Sequence, residues 1–285
     1  MAERRDSLWR RAGRQLMKRR GVVICFVIIA CYLLVALLGI LGLLPDYQER
    51  VGDSYDPPSA SFALMLGTDI FGRSVVYKIL AGTKTAMLIG LVVPAIAVPI
   101  GVTLGALGGY FGGRVDAFIV WFFSVISSVP YILIVIAISF VLGKGMLAIC
   151  VAMGTVGWVG LCRLVRGEFI KHRHREYALA SRLLGAGDLT IIFRHILPNV
   201  IHVAIITASL QVLGAIKSEV ILTYLGVGIQ DGSSWGTMIS DAAGELVQGI
   251  FWPLIGVVFS MFFVIYALNV VGDALRDALD PKLLD

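Results

Sequence analysis

The residues best suited to chemistry in this chain are two charged side chains inside an apolar stretch. Lys217 and Glu219 lie within residues 200–225, a run long enough to cross the hydrocarbon core of a membrane. Charges at that depth are costly, so they usually face a polar cavity or a partner group. Because the two residues are two apart on a helix, they point to different faces and are poorly placed to pair. The pair marks a candidate translocation path. A structural role for Glu219, capping a neighbouring helix or bonding interrupted backbone near Gly214, is the alternative.

The sequence predicts no catalytic residue and no metal site. The four cysteines fall inside or at the end of apolar runs, without a CxxC motif or a nearby histidine cluster of metal-binding spacing. We expect them to be packing residues. They are Cys25, Cys31, Cys150 and Cys162.

The composition indicates a polytopic membrane protein. The chain has 285 residues, of which 58% are hydrophobic, and its mean hydropathy is +0.88. A net charge of +5 would suggest nucleic acid as the partner of a soluble domain. Here the basic residues lie at the ends of apolar runs, where they determine membrane topology. We therefore expect membrane lipid to surround the chain, and we expect no nucleic-acid partner.

Six membrane-spanning helices are predicted, which makes the fold all-α. The first span is 22–44; its length and the lack of a small-residue cleavage site indicate an anchored helix and not a secretory signal. The five other spans, at about 85–110, 115–142, 146–165, 200–225 and 250–272, form a core over residues 85–272.

Lysine and arginine positions predict which side each loop faces. They are concentrated in the N-terminal segment 1–21 and in the loop 166–199, so both are expected in the cytoplasm. Six spans then place the C-terminal segment 273–285 inside as well. The loop 45–84 and the connection 226–249 are extracytoplasmic, although the first also carries basic residues.

Small residues recur every fourth position at Ala97, Gly101, Gly105 and Gly109. This spacing puts them on one helical face, which a neighbouring helix can approach closely. Tight packing within one bundle and a mobile or subunit-facing seam both fit the pattern.

The cytoplasmic loop contains a short helix with a nearly bare face. Good helix formers dominate from Glu176 to Leu184, with small residues at Ala178, Ser181 and Gly185. Such a helix can lie in a groove of another protein. An amphipathic helix held by lipid headgroups is the alternative.

The extracytoplasmic connection 226–249 contains Trp235 in a setting rich in glycine and serine. Irregular backbone at membrane depth is tolerated only beside a cavity, so this segment could fold into the outer mouth of a pathway, with Trp235 as candidate gate. A plain solvated loop is the alternative.

The run EYALASRLLGAG, followed by IIFRHILPN, resembles a motif of a known family, the cytoplasmic "EAA" loop of ABC importer permeases. The matches to that pattern are Ala180, Gly185, Leu197 and Pro198. The departures are Leu179, Ser181 and His195. The stretches LGTDIFGRSVV, GALGGYFGGRVD, LGVGIQDGSSWGTMISDA and NVVGDALRDALDP extend the resemblance, which is to the second (C-type) permease of dipeptide, oligopeptide and nickel importers. Glu219 coincides with a family glutamate, whereas Lys217 replaces a usually apolar residue.

The resemblance implies a type I ABC importer permease fold in a bacterial inner membrane, paired with a homologous permease as a heterodimer. It implies two ATPase subunits that bind ATP and Mg, and an extracytoplasmic binding protein that delivers a peptide-like substrate. No phosphate-binding GxxxxGK[ST] loop occurs in this chain, so no cofactor is expected on it. The implied ATPase-coupling residues are Glu176, Tyr177, Ala180, Ser181, Arg182, Gly185, Arg194 and Pro198.

A stand-alone secondary transporter or channel, driven by an ion gradient through Lys217 and Glu219, is the rival hypothesis. It predicts two matched internal halves with interrupted helices, and no convincing repeat is present.

Overall fold

The computed structural model describes residue 13 and residues 16–143, 145–230 and 232–279. Within these ranges the chain forms helices joined by loops, with isolated β-bridges that pair Arg50 with Arg73 and Thr68 with Ser74. Most of the predicted basic N-terminus and the last residues of the predicted C-terminal segment lie outside the described residues.

The helices differ widely in length, from eight residues in a loop to 37 in the longest span. In chain order they are α1 (Arg20–Ile40), α2 (Val75–Phe111), α3 (Gly113–Ser127), α4 (Tyr131–Leu142), α5 (Met146–Gly157), α6 (Val159–His172), α7 (Glu176–Leu183), α8 (Leu197–Tyr224), α9 (Trp235–Val247) and α10 (Trp252–Leu279). Between α7 and α8, a helical turn at Asp188–Thr190 leads into a π-helical turn at Ile191–Ile196.

Five helical stretches in the described part of the chain are long and apolar enough to cross a membrane. Helices α3 and α4, which bend by 85° where Pro130 interrupts the helix, are together long and apolar enough for a sixth. The prediction of an all-α membrane protein with about six spans is confirmed.

Several helices extend beyond the predicted spans. The predicted spans stop where charged residues lower the hydropathy, whereas the helices continue through those residues. The second helix begins at Val75 and not near residue 85, since Lys78 is paired with Asp69 inside the fold. Helix α6 continues to His172, into the predicted loop 166–199. Helix α10 continues to Leu279, where Asp277 pairs with Arg19. The first helix ends earlier than predicted, at Ile40, ahead of the turn at Gly42 (φ +72°).

The chain folds as two compact units. Among the described residues, the first contains those up to Gly90, residues 143 and 145–146, and those from Leu213 to Leu279. In this unit α1 packs along α10, and the Tyr32 hydroxyl donates a 2.8 Å hydrogen bond to the carbonyl of Ser260. Helix α9 also packs on α10. These contacts fix the apolar first helix to α10.

The second unit comprises residues 91–142 and 147–212, and close helix packing holds it together. Added Cβ atoms at Gly101, Gly105 and Gly109 would lie 2.9, 2.7 and 2.6 Å from the carbonyl oxygens of Trp158, Cys162 and Arg166. Real Cβ atoms do not approach backbone this closely, so only glycine permits the contact. The regular spacing of small residues therefore serves tight packing within the bundle.

Candidate coupling loop and buried polar sites

The loop helix α7 ends in a turn that only glycine adopts readily. Gly185 has φ +83°. Its N–H bonds the carbonyl of Arg182 at 3.0 Å, and the N–H of Ala186 bonds the carbonyl of Ser181 at 3.1 Å. These two bonds form a Schellman motif, which satisfies the free carbonyls of the last turn. Gly185 therefore sets the direction in which the chain leaves α7.

The small residues of α7 differ in their surroundings. Ala178 is 3% exposed and packs in a core cluster with Tyr110, Phe169 and Ile192. The outward side instead carries Leu183 and Leu184, which are 89% and 88% exposed. Of the predicted small face, Ala178 is therefore buried inside the second unit, Ser181 is partly buried and Gly185 is exposed. The surface available to a partner is leucine-rich, with the exposed Ala180 beside it.

Side-chain hydrogen bonds anchor the back of the loop to α2. The Tyr110 hydroxyl donates to Asp188 Oδ1 at 2.6 Å and accepts from Arg182 Nη2 at 3.0 Å. Arg173 Nη1 donates to the carbonyl of Gly109 at 3.1 Å. These bonds join both sides of the loop to one helix end.

A second anchor joins α6 to α3. Arg166 Nη2 donates to Asp116 Oδ2 at 2.6 Å in a two-bond pair, the strongest common geometry for these groups. The loop therefore starts from a helix that is fixed on two sides.

Within α7, Tyr177 and Ser181 lie on the partly buried side. The Tyr177 hydroxyl lies 2.8 Å from His172 Nδ1, and Ser181 Oγ donates to the Tyr177 carbonyl at 2.8 Å. Burial raises the pKa of Tyr177 above its ordinary value of 10.0. Glu176 is exposed in the first turn of α7, where a carboxylate interacts favourably with the positive end of the helix dipole.

Arg194 and Pro198 are connected through the π-helical turn Ile191–Ile196. Pro198 has no N–H to bond the Arg194 carbonyl four residues earlier, and its ring crowds that carbonyl. A π turn at this point re-routes the hydrogen bonds, and such turns are frequent at functional sites. Both residues are exposed.

The two charged residues of α8 are separated, as their spacing predicts. Glu219 is 0% exposed, whereas Lys217 is exposed. The Thr223 hydroxyl donates to Glu219 Oε1 at 2.9 Å and accepts from the backbone N–H of Ile229 at 3.1 Å. Glu219 thus supports the chain after α8, a structural contact that differs from the predicted one near Gly214. Glu219 Oε2 has no hydrogen-bond partner among the described residues.

The connection 226–249 is packed, not a plain solvated loop. Trp235 is 0% exposed, and a Cβ added at Gly82 would lie 2.7 Å from its Cδ1. Its ring meets Tyr32 edge-on, with centroids 6.2 Å apart. Helix α9 begins with a capping box between Ser234 and Thr237. These contacts hold Trp235 inside the first unit.

A buried ionic cluster around Asp69 was missed by the sequence reasoning, although LGTDIFGRSVV was noted as a motif. Asp69 is 1% exposed; its Oδ1 accepts from the N–H groups of Phe71 and Arg73, at 2.9 and 3.0 Å. Its Oδ2 accepts from Arg73 Nε at 2.9 Å and from Lys78 Nζ at 3.0 Å. Burial acts to raise the pKa of Asp69, but the charge of Lys78 and these hydrogen bonds hold that pKa below its ordinary value. A carboxylate followed by two basic residues within nine positions was the available signal.

Comparison with known proteins gives two family matches. The family described as "Binding-protein-dependent transport system inner membrane component" matches residues 97–285, and the "N-terminal TM domain of oligopeptide transport permease C" matches residues 7–58. A solved chain of the methionine ABC transporter, in inward-facing conformations, has a TM-score of 0.52 at 17% identity and covers 72% of this chain and 94% of its own. That likeness shows the fold alone.

Relatives match over nearly the full chain. The dipeptide transport system permease protein of Bacillus subtilis is 34% identical and covers 98% of this chain and 86% of its own length. The oligopeptide transport system permease protein of the same organism is 35% identical, with 97% and 90% covered. The oligopeptide permease of Escherichia coli K12 is 33% identical, with 97% and 92% covered. These matches confirm the resemblance, and the chain belongs to the binding-protein-dependent transport system inner membrane components, the permease family of ABC importers.

Proposed function

We propose that this chain is one of two homologous permease subunits in an ATP-driven importer of di- or oligopeptides, and that an ATPase subunit docks on the outward face of α7. The peptide substrate is supported by the names of the relatives, which are dipeptide and oligopeptide permeases. The protein lies in the bacterial inner membrane, and the distribution of lysine and arginine supports a cytoplasmic position of both termini.

The observation that carries the proposal is the pair of exposed leucines on a helix whose back is fixed. Leu183 and Leu184 are almost fully exposed, while Ala178 behind them is buried. Exposed apolar groups that cluster on a loop mark an interaction site. Because Tyr110 and Arg173 tie the loop to α2, force applied to the leucines reaches a spanning helix. ATPase dimerisation can thus be converted into rigid-body motion of the spans.

The rest of the importer lies on other subunits. Two ATPase subunits supply the ATP and Mg sites, a second permease completes the path, and an extracytoplasmic binding protein delivers the peptide. In this arrangement the exposed Lys217 faces the path or the sister permease, while Glu219 and Trp235 hold the outer segment 226–249 in place as a gate.

Copurification of an ATPase in mild detergent tests the proposal. We expect the wild-type complex to retain the ATPase and Leu183→Asp to lose most of it, because a charge cannot enter an apolar groove without loss of hydration. Phe62→Asp is the matched control, since Phe62 is also a large exposed apolar residue (60% exposed) but lies in the loop before α2. Equal ATPase recovery with Leu183→Asp and Phe62→Asp would remove α7 as the docking site. Peptide uptake driven by an ion gradient without any ATPase would replace the importer by a stand-alone transporter.

A further inference from the structure

A polar cleft of about 260 Å³ lies in the first unit between the start of α2, the end of α8 and α9. Its wall includes Tyr47, Thr237 and Ser240, together with the charged residues Arg73, Lys78 and Asp241. Hydroxyl and charged groups that converge on a concave space are the groups that orient a bound ligand.

Two cations of the cleft share one buried carboxylate. Arg73 and Lys78 both bond Asp69 Oδ2, and the side chain of Lys78 is only 9% exposed. One carboxylate neutralises only one of these two charges. The ammonium group has three donors, and Arg73 Nη1 has no hydrogen-bond partner among the described residues. Asp69 therefore leaves one positive charge of this pair, with spare donors, to be balanced by another group.

The remaining charge is balanced loosely by Asp241. Its Oδ2 lies 3.5 Å from Lys78 Nζ, beyond a good hydrogen bond, and its side chain is 56% exposed. Asp241 can turn into solvent at little cost, so an incoming anion can replace its carboxylate beside Lys78. It is the only carboxylate among the described residues that line the cleft.

A neighbouring cleft of about 230 Å³ shows which side an anion would enter. It shares Arg73, Lys78 and Asp241 but is also lined by Asp69 and Glu245. Glu245 is 5% exposed, and its pKa is raised by burial and by the nearby carboxylates. A second anion is disfavoured among these acids, so the first cleft is the one suited to a carboxylate.

We propose that the first cleft binds the terminal carboxylate of a peptide substrate between Arg73 and Lys78, in place of Asp241. This inference rests on the proposed import of peptides. The cleft is slightly smaller than the ~300–1,000 Å³ of ordinary ligand pockets, so it accommodates a dipeptide or one end of a longer peptide. The hydroxyl groups of Thr237 and Ser240 can bond the peptide backbone next to that carboxylate.

The test uses the complete transporter, with its binding protein, in proteoliposomes. Uptake of a dipeptide is compared with uptake of the same dipeptide carrying a C-terminal amide, each supplied on equal amounts of loaded binding protein. We expect wild type to favour the acid on the order of tenfold, as a lost charge-assisted hydrogen bond predicts. Arg73→Gln should bring the acid-to-amide ratio close to one. Asp241→Asn should raise the ratio several-fold, because the competing carboxylate is removed.

Arg50→Gln is the matched control, because Arg50 is an exposed arginine of the same loop, paired with Asp53. It should leave the ratio unchanged. A merely structural role of Arg73 would slow both peptides equally and leave the ratio as in wild type, which would overturn the proposal. An unchanged ratio with weaker docking of the empty binding protein would identify the cleft as a protein contact and overturn it too. If wild type takes up neither peptide with ATP, the proposed function itself fails.

Discussion

The hydroxyl of Tyr110 lies 2.6 Å from Asp188 Oδ1 and joins the end of α2 to the turn that leads into α8. The same oxygen accepts from Arg182 on α7. One phenol therefore connects a spanning helix with both sides of the cytoplasmic loop. A loop that transmits force needs such a connection, because a helix hinged only at its ends would move without moving the bundle.

Tyr110→Phe tests this connection. The ring keeps its packing, but the hydroxyl is lost, so we expect a stability loss of about 1 kcal/mol and a larger loss of coupling. The measurement is the ratio of peptide uptake to ATP hydrolysis in the reconstituted complex. Tyr32→Phe is the control, since it removes a partly buried hydroxyl bonded to Ser260 at 2.8 Å in the first unit. A similar coupling ratio in both variants would contradict a role of Tyr110 in transmission.

The pair Ala178→Leu and Ala180→Leu separates core packing from docking on one helix. Ala178 is 3% exposed, so a larger side chain there should cost about 1–3 kcal/mol of unfolding free energy. Ala180 is exposed, so Ala180→Leu should leave stability unchanged while reducing ATPase copurification. Thermal unfolding in detergent and ATPase recovery are the two readouts.

Gly185 is a less informative position for the same question. Gly185→Trp would forbid a docked partner, but it would also strain a residue at φ +83°. Gly185→Asn tolerates this backbone conformation and is the proper comparison. Loss of transport in Gly185→Trp with normal transport in Gly185→Asn would fit a docking role.

Gly105→Ala tests the glycine contact in the second unit. The added Cβ would lie 2.7 Å from the Cys162 carbonyl oxygen, so we expect the free energy of unfolding to fall by about 1–3 kcal/mol. Gly167→Ala on α6 is the control, because no atom lies within 4 Å of its added Cβ. Helix propensity alone would make both changes favourable by up to about 1 kcal/mol. We therefore expect the free energy of unfolding to fall in Gly105→Ala and to rise in Gly167→Ala.

The sequence predicted the spans, the glycine spacing and the loop helix, because each depends on local patterns. It did not predict which face of α7 is buried. Alanine, serine and glycine suit a close contact with either a partner or the chain's own core, and only the position of Tyr110 and Phe169 decides between them. The Asp69 cluster was missed for a related reason. A charge pattern in a loop is usually solvated, and its burial depends on contacts with Lys78, which was itself assigned to that loop.

Asp69→Asn should be the most destabilising of these changes. It leaves Lys78 and Arg73 without their shared charge, and breaking a buried pair costs about 3–5 kcal/mol. Asp53→Asn is the control, since the Asp53 side chain is 86% exposed. Unfolding in detergent is again the measurement, and equal stability of the two variants would refute a structural role for the cluster.

The same carboxylate predicts a pH dependence. Because its pKa is held below the ordinary value of 3.8, the charged form of Asp69 is favoured in the folded state. Its contribution to stability is therefore present above that ordinary value and is lost as pH falls through the lower, folded pKa. Wild type should lose more stability than Asp69→Asn between neutral pH and pH values below 3.8. Parallel pH curves for the two proteins would contradict this.

The final prediction concerns Glu219, which is 0% exposed and accepts from the Thr223 hydroxyl at 2.9 Å. Glu219→Gln keeps the acceptor and the shape but removes the charge, so we expect an assembled complex with slower peptide uptake and altered substrate-stimulated ATP hydrolysis. Thr223→Val removes the hydroxyl that also accepts from Ile229 N–H. This change should lower the free energy of unfolding by about 1–3 kcal/mol and loosen the segment 226–249. Uptake with purified complexes distinguishes the roles. If Glu219→Gln transports at the parental rate while Glu219→Leu fails to assemble, Glu219 acts only as a structural hydrogen-bonding group and the pathway lies along other helices.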